Sequence, residues 1–230
     1  MDCHSDFSRS ALVHTETVPW QDSPMAGVHR RPLDRVGDEV ARATSLVRYA
    51  PQSHFSPHVH HGGEEFLVLE GTFQDEEGDY PAGCYVRNPP GSRHTPGSES
   101  GCVIFVKLWQ FDPEDQNRVR LNPDRIPPVA ASDRPGVAEQ PLYEGFGERV
   151  RIERWAAGTP VDLTLPGGGE LLVLSGRCRH EGQWLGRHDW LRLPPGDRLR
   201  ALAGEQGTRV WLKTGHLASV AQQLQRLQGQ

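Results

Sequence analysis

The sequence has few cysteines, and none of them lies in a local metal-binding or redox pattern. The four are Cys3, Cys84, Cys102 and Cys178, and no two of them form a CxxC pair. A zinc ribbon or a thioredoxin-type motif is therefore not supported. In a reducing compartment we expect all four to be free thiols.

Long apolar runs and an excess of positive charge are also missing. No stretch approaches the roughly 18–20 apolar residues of a membrane helix, and the start, MDCHSDFSRS, lacks the apolar segment of a signal peptide. The net charge of −5 gives no general attraction to nucleic acid or to an anionic membrane. We therefore expect a cytoplasmic protein with neither nucleic acid nor membrane as its partner.

Glycine and proline, in contrast, are abundant: the 230 residues include 25 glycines and 19 prolines, spread between short apolar runs. Such spacing is typical of many strands joined by turns, and it predicts an all-β fold, an antiparallel sandwich or a small barrel. The predicted strands of the first half are Thr44–Tyr49, Glu65–Leu69, Tyr85–Asn88 and Val103–Trp109.

A short C-terminal helix is predicted over residues 216–228. Leu217, Val220, Leu224 and Leu227 recur there at helical spacing and share one face. This face could pack on its own domain or form a homodimer, and the sequence leaves both alternatives open.

The chain contains an internal repeat. GGEEFLVLEG, ending at Gly71, lies over GGGELLVLSG, ending at Gly176, at a spacing of 105 residues. VRNPPGSRH (86–94) then lies over LRLPPGDRL (191–199), and two further segments match in the same order with one residue of drift. We therefore interpret the chain as two copies of one β module.

The segment between the copies is rich in proline and charge and lacks periodicity, which is typical of a linker. The expected organisation is a first module with an N-terminal extension over residues 1–110, a linker over 111–141, and a second module with the C-terminal helix over 142–230.

The strongest chemical signal is SPHVHHGGEEF (56–66). On a strand, residues two apart point to the same face, so His58 and His60 project together and could bind one metal ion. After the glycine turn, Glu64 or Glu65 could supply an oxygen ligand, and His94 could arrive from another strand. The alternative is a solvated histidine-rich loop; we interpret His54 and His61 as bystanders in either case.

At this point the chain resembles the cupin superfamily, whose two motifs read G-x5-H-x-H-x3or4-E-x6-G and G-x5-P-x-G-x2-H-x3-N. His58, His60, Glu64 and Gly71 fill the first motif, and Gly83, Pro89, Gly91 and His94 fill the second. Gln52 replaces the opening glycine and Ser98 the closing asparagine. The resemblance implies two tandem double-stranded β-helix (jelly-roll) barrels and a metal site of His58, His60, Glu64 and His94, with Glu65, retained as Glu170, in a structural role.

Within that superfamily, the stretch ending at His94 is similar to the cupin-like domain of the ChrR-type anti-sigma factors. In that family the equivalent four residues bind zinc. Those proteins also carry an N-terminal helical zinc domain with an H-x3-C-x2-C signature, which holds the sigma factor. This chain has only Cys3 and His4 near its start, so we do not expect sigma-factor binding to carry over.

The second copy lacks the ligands. Carrying the alignment across, His58 becomes Leu163, His60 becomes Leu165, Glu64 becomes Gly169 and His94 becomes Leu199. Leucine fills with hydrocarbon the space that a metal and its polar surroundings need. We expect this module to be metal-free, with His180 and His188 at its surface.

Ligand type alone does not select the metal. Three imidazoles and a carboxylate suit zinc, iron, manganese, cobalt or nickel, and the resemblance favours zinc. The first functional hypothesis is a ChrR-like sensory or regulatory module with one metal ion per chain and a small-molecule ligand. The alternative is an iron-dependent dioxygenase-type enzyme, and a third hypothesis gives the metal only a structural role.

Overall fold

A computed structural model describes residues 2–229. Its strands are β1 (Ala11–Val13), β2 (Gln21–Asp22), β3 (Val28–Val36), β4 (Arg42–Tyr49), β5 (Ser53–His54), β6 (His58–His60), β7 (Glu64–Asp75), β8 (Gly78–Pro81), β9 (Tyr85–Asn88), β10 (Ser92–His94), β11 (Gly97–Ser98), β12 (Cys102–Leu108), β13 (Val119–Leu121), β14 (Val129–Ala130), β15 (Val137–Gly145), β16 (Glu148–Trp155), β17 (Pro160–Leu165), β18 (Gly169–His180), β19 (Gln183–Leu185), β20 (Trp190–Leu193) and β21 (Asp197–Thr214). Helix α1 (Val220–Gln228) follows the 3-10 turn His216–Ser219, and two further 3-10 turns are Thr15–Thr17 and Pro123–Arg125. The predicted all-β class with a short C-terminal helix is confirmed.

The chain divides into two compact units. The first comprises residues 2–5, 19–122 and 221–229, and the second comprises 6–18 and 123–220. This differs from the expected organisation at both ends, since residues 6–18 group with the second unit and the helix after Val220 with the first. Both differences have local causes. Strand β1 pairs with β20, and Arg42 donates to the Gln223 side chain on α1 at 2.8 Å.

The first unit is built on an antiparallel sheet in the order β13-β9-β7-β12-β4-β3-β2, with β5, β8 and β11 joined to its side. A separate two-stranded sheet pairs β6 with β10. Alternating residues of the central strands, among them Phe66, Val86 and Ile104, form one buried core with Tyr49 and Phe73.

The second unit repeats this order. Its antiparallel sheet runs β1-β20-β18-β21-β16-β15-β14, and β17 pairs with the first part of β21 as β6 pairs with β10. The core includes Leu165 and Leu199. Thus Leu163 lies opposite Leu199 in register, just as His58 lies opposite His94, in agreement with the alignment of the two copies.

Matching glycines fix the same irregularity in both units. Gly71 has φ of 69° and Gly176 has φ of 72°, a region that side-chain-bearing residues rarely adopt. A Cβ atom at Gly71 would lie 2.0 Å from the Gly101 carbonyl oxygen, and one at Gly176 would lie 2.2 Å from that of Gly207. Only glycine allows the neighbouring backbone to approach so closely.

The segment interpreted as a linker contains ordered structure. Strand β13 pairs with β9, and β14 pairs with β15. Its charges are partners of buried groups: Asp115 is 1% exposed and accepts a hydrogen bond from Arg87 at 2.6 Å. The charge content that indicated a solvated linker in fact neutralises a buried guanidinium.

Two further expectations concern the cysteines and the membrane. All four cysteines are free, as expected. Across residues 2–229, no helix has the length and apolarity that crossing a bilayer demands.

Candidate metal centre

Three histidines of the first unit converge at the pair of strands β6 and β10. His58 and His60 lie on the same face of β6, with the intervening Val59 41% exposed on the other side. Strand β10 places His94 directly opposite His58. Nitrogen atoms of the three rings all lie within 4.8 Å of one another. The alternation argument is thereby confirmed, and the alternative of a dispersed histidine-rich loop does not describe this stretch.

Glu64 completes the arrangement at the start of β7. Its Oε2 lies 3.4 Å from His60 Nε2 and 3.5 Å from His94 Nε2. The turn that brings it there depends on Gly63, which has φ of 76° and donates its N–H to the His60 carbonyl. At Gly62 a Cβ would lie 2.3 Å from the Trp109 ring, so this turn tolerates glycine alone.

The spacing of these atoms suits ligands of one metal ion. At metal–nitrogen bonds of about 2.0–2.1 Å, neighbouring ligand atoms lie roughly 2.9–3.4 Å apart. His60 Nε2 and His94 Nε2 are 2.9 Å apart, and the distances from Glu64 Oε2 to these two atoms, 3.4 and 3.5 Å, lie at the upper limit of this range and just above it. The donor set of imidazoles and a carboxylate therefore fits a divalent ion. The assignment of the four residues as its ligands stays a prediction.

Neighbouring groups hold two of the imidazoles by their Nδ1 atoms. His58 Nδ1 lies 3.0 Å from the Ser56 carbonyl, and His94 Nδ1 lies 3.2 Å from Asp75 Oδ2. Since both acceptors take an N–H, each ring keeps its Nε2 lone pair for a metal, a common arrangement around metal-bound histidines.

Glu64 is held in a similar way. Asn88 donates its amide to Glu64 Oε2 at 2.9 Å, and Arg120 donates to the other end of the same amide. The Asn88 side chain therefore fixes both the position and the orientation of the carboxylate.

The electrostatic balance favours the forms of His60 and Glu64 that bind metals. Burial lowers the pKa of His60 and outweighs the neighbouring Glu64 carboxylate, which acts in the opposite direction. Burial alone would raise the pKa of Glu64, but His60, His94 and the Asn88 hydrogen bond together lower it. At neutral pH the first is a neutral imidazole and the second a carboxylate.

For His94, burial works against the charged form, yet the hydrogen bond that its ring donates to Asp75 and the charge of Glu64 raise its pKa. The pKa of Asp75 itself is lowered, because its bonds to His94, the Glu77 N–H and the Tyr80 hydroxyl overcome the effect of burial. Asp75 is thus a carboxylate and a strong acceptor for the His94 ring.

The cluster opens on a cavity of about 460 Å³. His58, His60 and Glu64 form part of its wall, together with apolar side chains such as Val47, Ile104, Val106, Leu108 and Phe55. This volume falls in the range of small-molecule sites. A ligand in the cavity would therefore reach the histidine cluster directly.

The other residues considered from the sequence lie apart from the cluster. His54 is exposed and lies 3.3 Å from Glu99, whereas His61 is exposed at the cavity wall. Glu65 is buried and accepts a hydrogen bond from Tyr85 at 2.7 Å, in agreement with its predicted structural role. Within residues 2–229, neither His180 nor His188 joins a group of possible ligands. The expected surface position is wrong for His180, which is 5% exposed, with its Nδ1 2.9 Å from the Arg200 carbonyl oxygen.

Sequence reasoning missed Asp75 and Asn88, although the repeat contained the signal. Their counterparts in the second copy are His180 and Leu193, so both residues are absent from the copy that lacks the ligands. In that copy Leu163, Leu165 and Leu199 lie at the histidine positions, and Leu165 and Leu199 are at most 2% exposed.

Comparison with known proteins agrees with this geometry. Residues 8–112 match the family model described as the ChrR Cupin-like domain. No curated protein sequence matches the chain.

Solved structures with the same fold cover nearly the whole chain. A protein of Nostoc punctiforme described as a "putative dioxygenase" has 17% identity and a TM-score of 0.76, over 93% of this chain and 85% of its own. A variant of oxalate decarboxylase from Bacillus subtilis has 12% identity and a TM-score of 0.62, over 92% and 78%. A bacterial pirin from Escherichia coli, solved with nickel(II), has 14% identity and a TM-score of 0.61, over 90% and 98%. Likeness at these identities establishes the cupin fold.

Proposed function

We propose that the chain binds one divalent metal ion through His58, His60, Glu64 and His94 and receives a small-molecule ligand there, a proposal supported by the match of residues 8–112 to the ChrR Cupin-like domain model. The observation that carries this proposal is the convergence of three imidazoles, with nitrogen atoms within 4.8 Å of one another, and the position of two of them, His58 and His60, on the wall of a cavity. A metal ion that served only to stiffen the fold would not need such an opening.

Zinc is our first choice of metal, and iron, manganese, cobalt and nickel are the alternatives. The donor set is compatible with all five, because imidazole and carboxylate ligands discriminate weakly among them. When bound, such an ion supplies a Lewis acid, or in the case of iron a site for oxygen chemistry. The chain's own residues orient the ligands: Asp75 holds His94, and Asn88 holds Glu64.

We propose that binding at this site serves a sensory or regulatory role, as the ChrR-like family match supports. A ligand that enters the cavity touches both the cluster and the strands that position it. Occupation of the cavity therefore acts on β4, β6 and β12 of the first unit, whose residues line it. A regulatory protein needs this coupling between ligand and fold.

A second candidate is a metal-dependent dioxygenase-type enzyme, and the open cavity favours it. The similar structure described as a putative dioxygenase shares the fold. We do not assign the acid or base of such a reaction to Tyr85, Arg87 or Glu65. The Tyr85 hydroxyl donates a hydrogen bond to Glu65, Arg87 forms an ion pair with Glu65, and none of these three residues lines the cavity.

Metal analysis tests the site itself. We expect protein purified without added metal to contain about one ion per chain, and His60→Ala or His94→Ala to retain less than about a tenth of it. His54→Ala is the matched control, since that histidine is exposed outside the cluster. Unchanged metal content in both cluster variants would show that the ligand assignment is wrong.

Oxygen uptake by the iron(II)-loaded protein separates the two functions. With β-dicarbonyl and thiol compounds, the regulatory proposal predicts no consumption above that of the His94→Ala variant. The enzyme candidate predicts consumption that depends on both the compound and His94. Uptake of that kind would replace the regulatory proposal with the enzymatic one.

A further inference from the structure

The cavity contains a positive charge that the described protein does not neutralise. Arg30 lies on β3, opposite Val47 and two residues from Val28, both of which belong to the buried core. Its side chain therefore points to the inner face of the sheet, and it lines the cavity. Within residues 2–229 its guanidinium forms no hydrogen bond or ion pair.

Two carboxylates line the same cavity without pairing with Arg30. Glu64 faces His60 and His94, and Glu39 is exposed and forms no ion pair in the described part of the chain. Burial lowers the pKa of Arg30, and the nearby Arg35 acts in the same direction. The guanidinium is partly removed from water and has no partner in the described protein, so an anion in the cavity would interact with it more strongly than one in open solvent.

A second unpartnered group lies beside it. Tyr49 is 6% exposed and lines the cavity, and its hydroxyl forms no hydrogen bond with any residue from 2 to 229. Burial raises the pKa of Tyr49 well above its usual value, so the hydroxyl keeps its proton. Tyr49 pairs with Val28, which makes it the diagonal neighbour of Arg30 on the same face and within reach of the same small group.

The second unit contains a carboxylate at the corresponding place. By the alignment of the copies, Val47 corresponds to Glu153 and Tyr49 to Trp155. Glu153 accepts the Trp155 indole N–H at 2.7 Å and two hydrogen bonds from Arg134, at 2.9 and 3.0 Å. There the donor at the tyrosine position and two arginines, Arg134 and Arg151, share one buried carboxylate that the chain itself provides.

In the first unit Arg30 lies opposite Val47, where Glu139 lies opposite Glu153 in the second, so Arg30 and Tyr49 face positions at which the two strands provide no carboxylate. We propose that the cavity binds small monocarboxylic acids, with the carboxylate held by the Arg30 guanidinium and the Tyr49 hydroxyl and the apolar remainder against the hydrophobic wall. The planar guanidinium suits a carboxylate, with which it forms paired hydrogen bonds. This assignment rests on the proposed function in taking the cavity as the ligand site, and it names the ligand class.

The apolar wall limits the rest of the ligand. Val47, Ile104, Val106 and Leu108 offer no charge, so the part of the ligand that contacts them must be apolar. The cavity of about 460 Å³ admits a short aliphatic or an aryl acid.

Titration calorimetry on the metal-loaded protein tests the proposal, with acetate, butanoate, pentanoate, 2-oxopentanoate and benzoate as probes and pentanamide as the control. We expect at least one monocarboxylate to bind, and the amide to bind about tenfold more weakly or not at all. Arg30→Leu should weaken binding about tenfold or more, Tyr49→Phe roughly three- to tenfold, and Arg30→Lys less than Arg30→Leu.

The matched control is Arg48→Leu, which removes an equal charge from the adjacent strand. Arg48 lies over the Trp20 ring and does not line the cavity, so the variant should bind like the parent. Equal affinities of Arg30→Leu and Arg48→Leu, or no preference for any acid over the amide, would overturn the proposal.

Metal content and melting temperature are measured on every sample, which keeps the two proposals distinguishable. Parent protein that retains metal but binds no acid contradicts the carboxylate assignment alone. Parent protein that retains no metal contradicts the proposed function. A folded Arg30→Leu variant with full metal content and lost acid binding supports both.

Discussion

At the scale of single residues, the site depends on side chains that would not themselves touch a metal ion. Asp75 is the clearest case, since its side chain is fully buried and its Oδ2 lies 3.2 Å from His94 Nδ1. The carboxylate fixes the ring orientation and makes Nε2 a better electron donor. Asp75 is therefore a positioning residue.

We predict that Asp75→Asn weakens metal affinity about 10- to 100-fold, because the neutral amide polarises the imidazole less. Competition with a chelator of known affinity measures the change. The control is Asp79→Asn, which removes a charge from an exposed side chain bonded to Gln74. Equal affinities of the two variants would contradict the positioning role.

Some residues of the candidate site could be predicted from the sequence, and others could not. His58, His60, Glu64 and His94 could be singled out because their spacing on predicted strands is regular and because all four are lost together in the second copy. The sequence also indicated that Glu65 is structural. Arg30 could not be recognised, since an arginine on a strand normally faces solvent, and only the strand register shows that it faces inward.

At the scale of elements, the strands follow the alternation of apolar residues closely. The prediction Tyr85–Asn88 matches β9, and Thr44–Tyr49 lies within β4. Strand β7 is longer than predicted, because Gly71 allows the chain to bend within the strand, and the part of β7 after the bend pairs with β8. The region 111–141, predicted as a linker, contains β13 and β14, and composition does not reveal that its Asp115 is the buried partner of Arg87.

The turn before β5 contains a residue in an unfavourable backbone conformation. Gln52 replaces the glycine of the first motif, and it has φ of 60° in the turn before β5. Non-glycine residues pay about 1–2 kcal/mol for this left-handed conformation. Since the side chain is exposed, the turn gains little from it in return.

We predict that Gln52→Gly raises the free energy of unfolding by about 0.5–1 kcal/mol, once the greater freedom of glycine in the unfolded chain is subtracted. Urea unfolding of the metal-free protein measures it. Gln52→Ala, which retains the Cβ and hence the strain, should not exceed the parent. A less stable glycine variant would mean that the glutamine side chain supports the turn.

At the scale of the whole molecule, the two copies of the β module differ at the same four positions. In the first, these positions hold the side chains of the proposed metal site, and three of them line a cavity. In the second, leucines fill the matching positions and join the core. The exchange is position by position, with His94 replaced by Leu199 on the corresponding strand, so the two residues form a matched pair for experiment.

We predict opposite consequences for alanine at these two positions. His94→Ala should abolish metal binding while changing the stability of the metal-free protein by less than about 1 kcal/mol, because it removes a side chain from a cluster built for binding. Leu199→Ala should lower the free energy of unfolding by about 2–5 kcal/mol, because Leu199 is 1% exposed and its loss leaves a void in the core. Its metal content should stay at that of the parent. Urea unfolding of metal-free protein and metal analysis of purified protein give both readouts. The division of roles would be disproved by a Leu199→Ala protein that folds but has lost its metal, since the second copy would then be needed for the site.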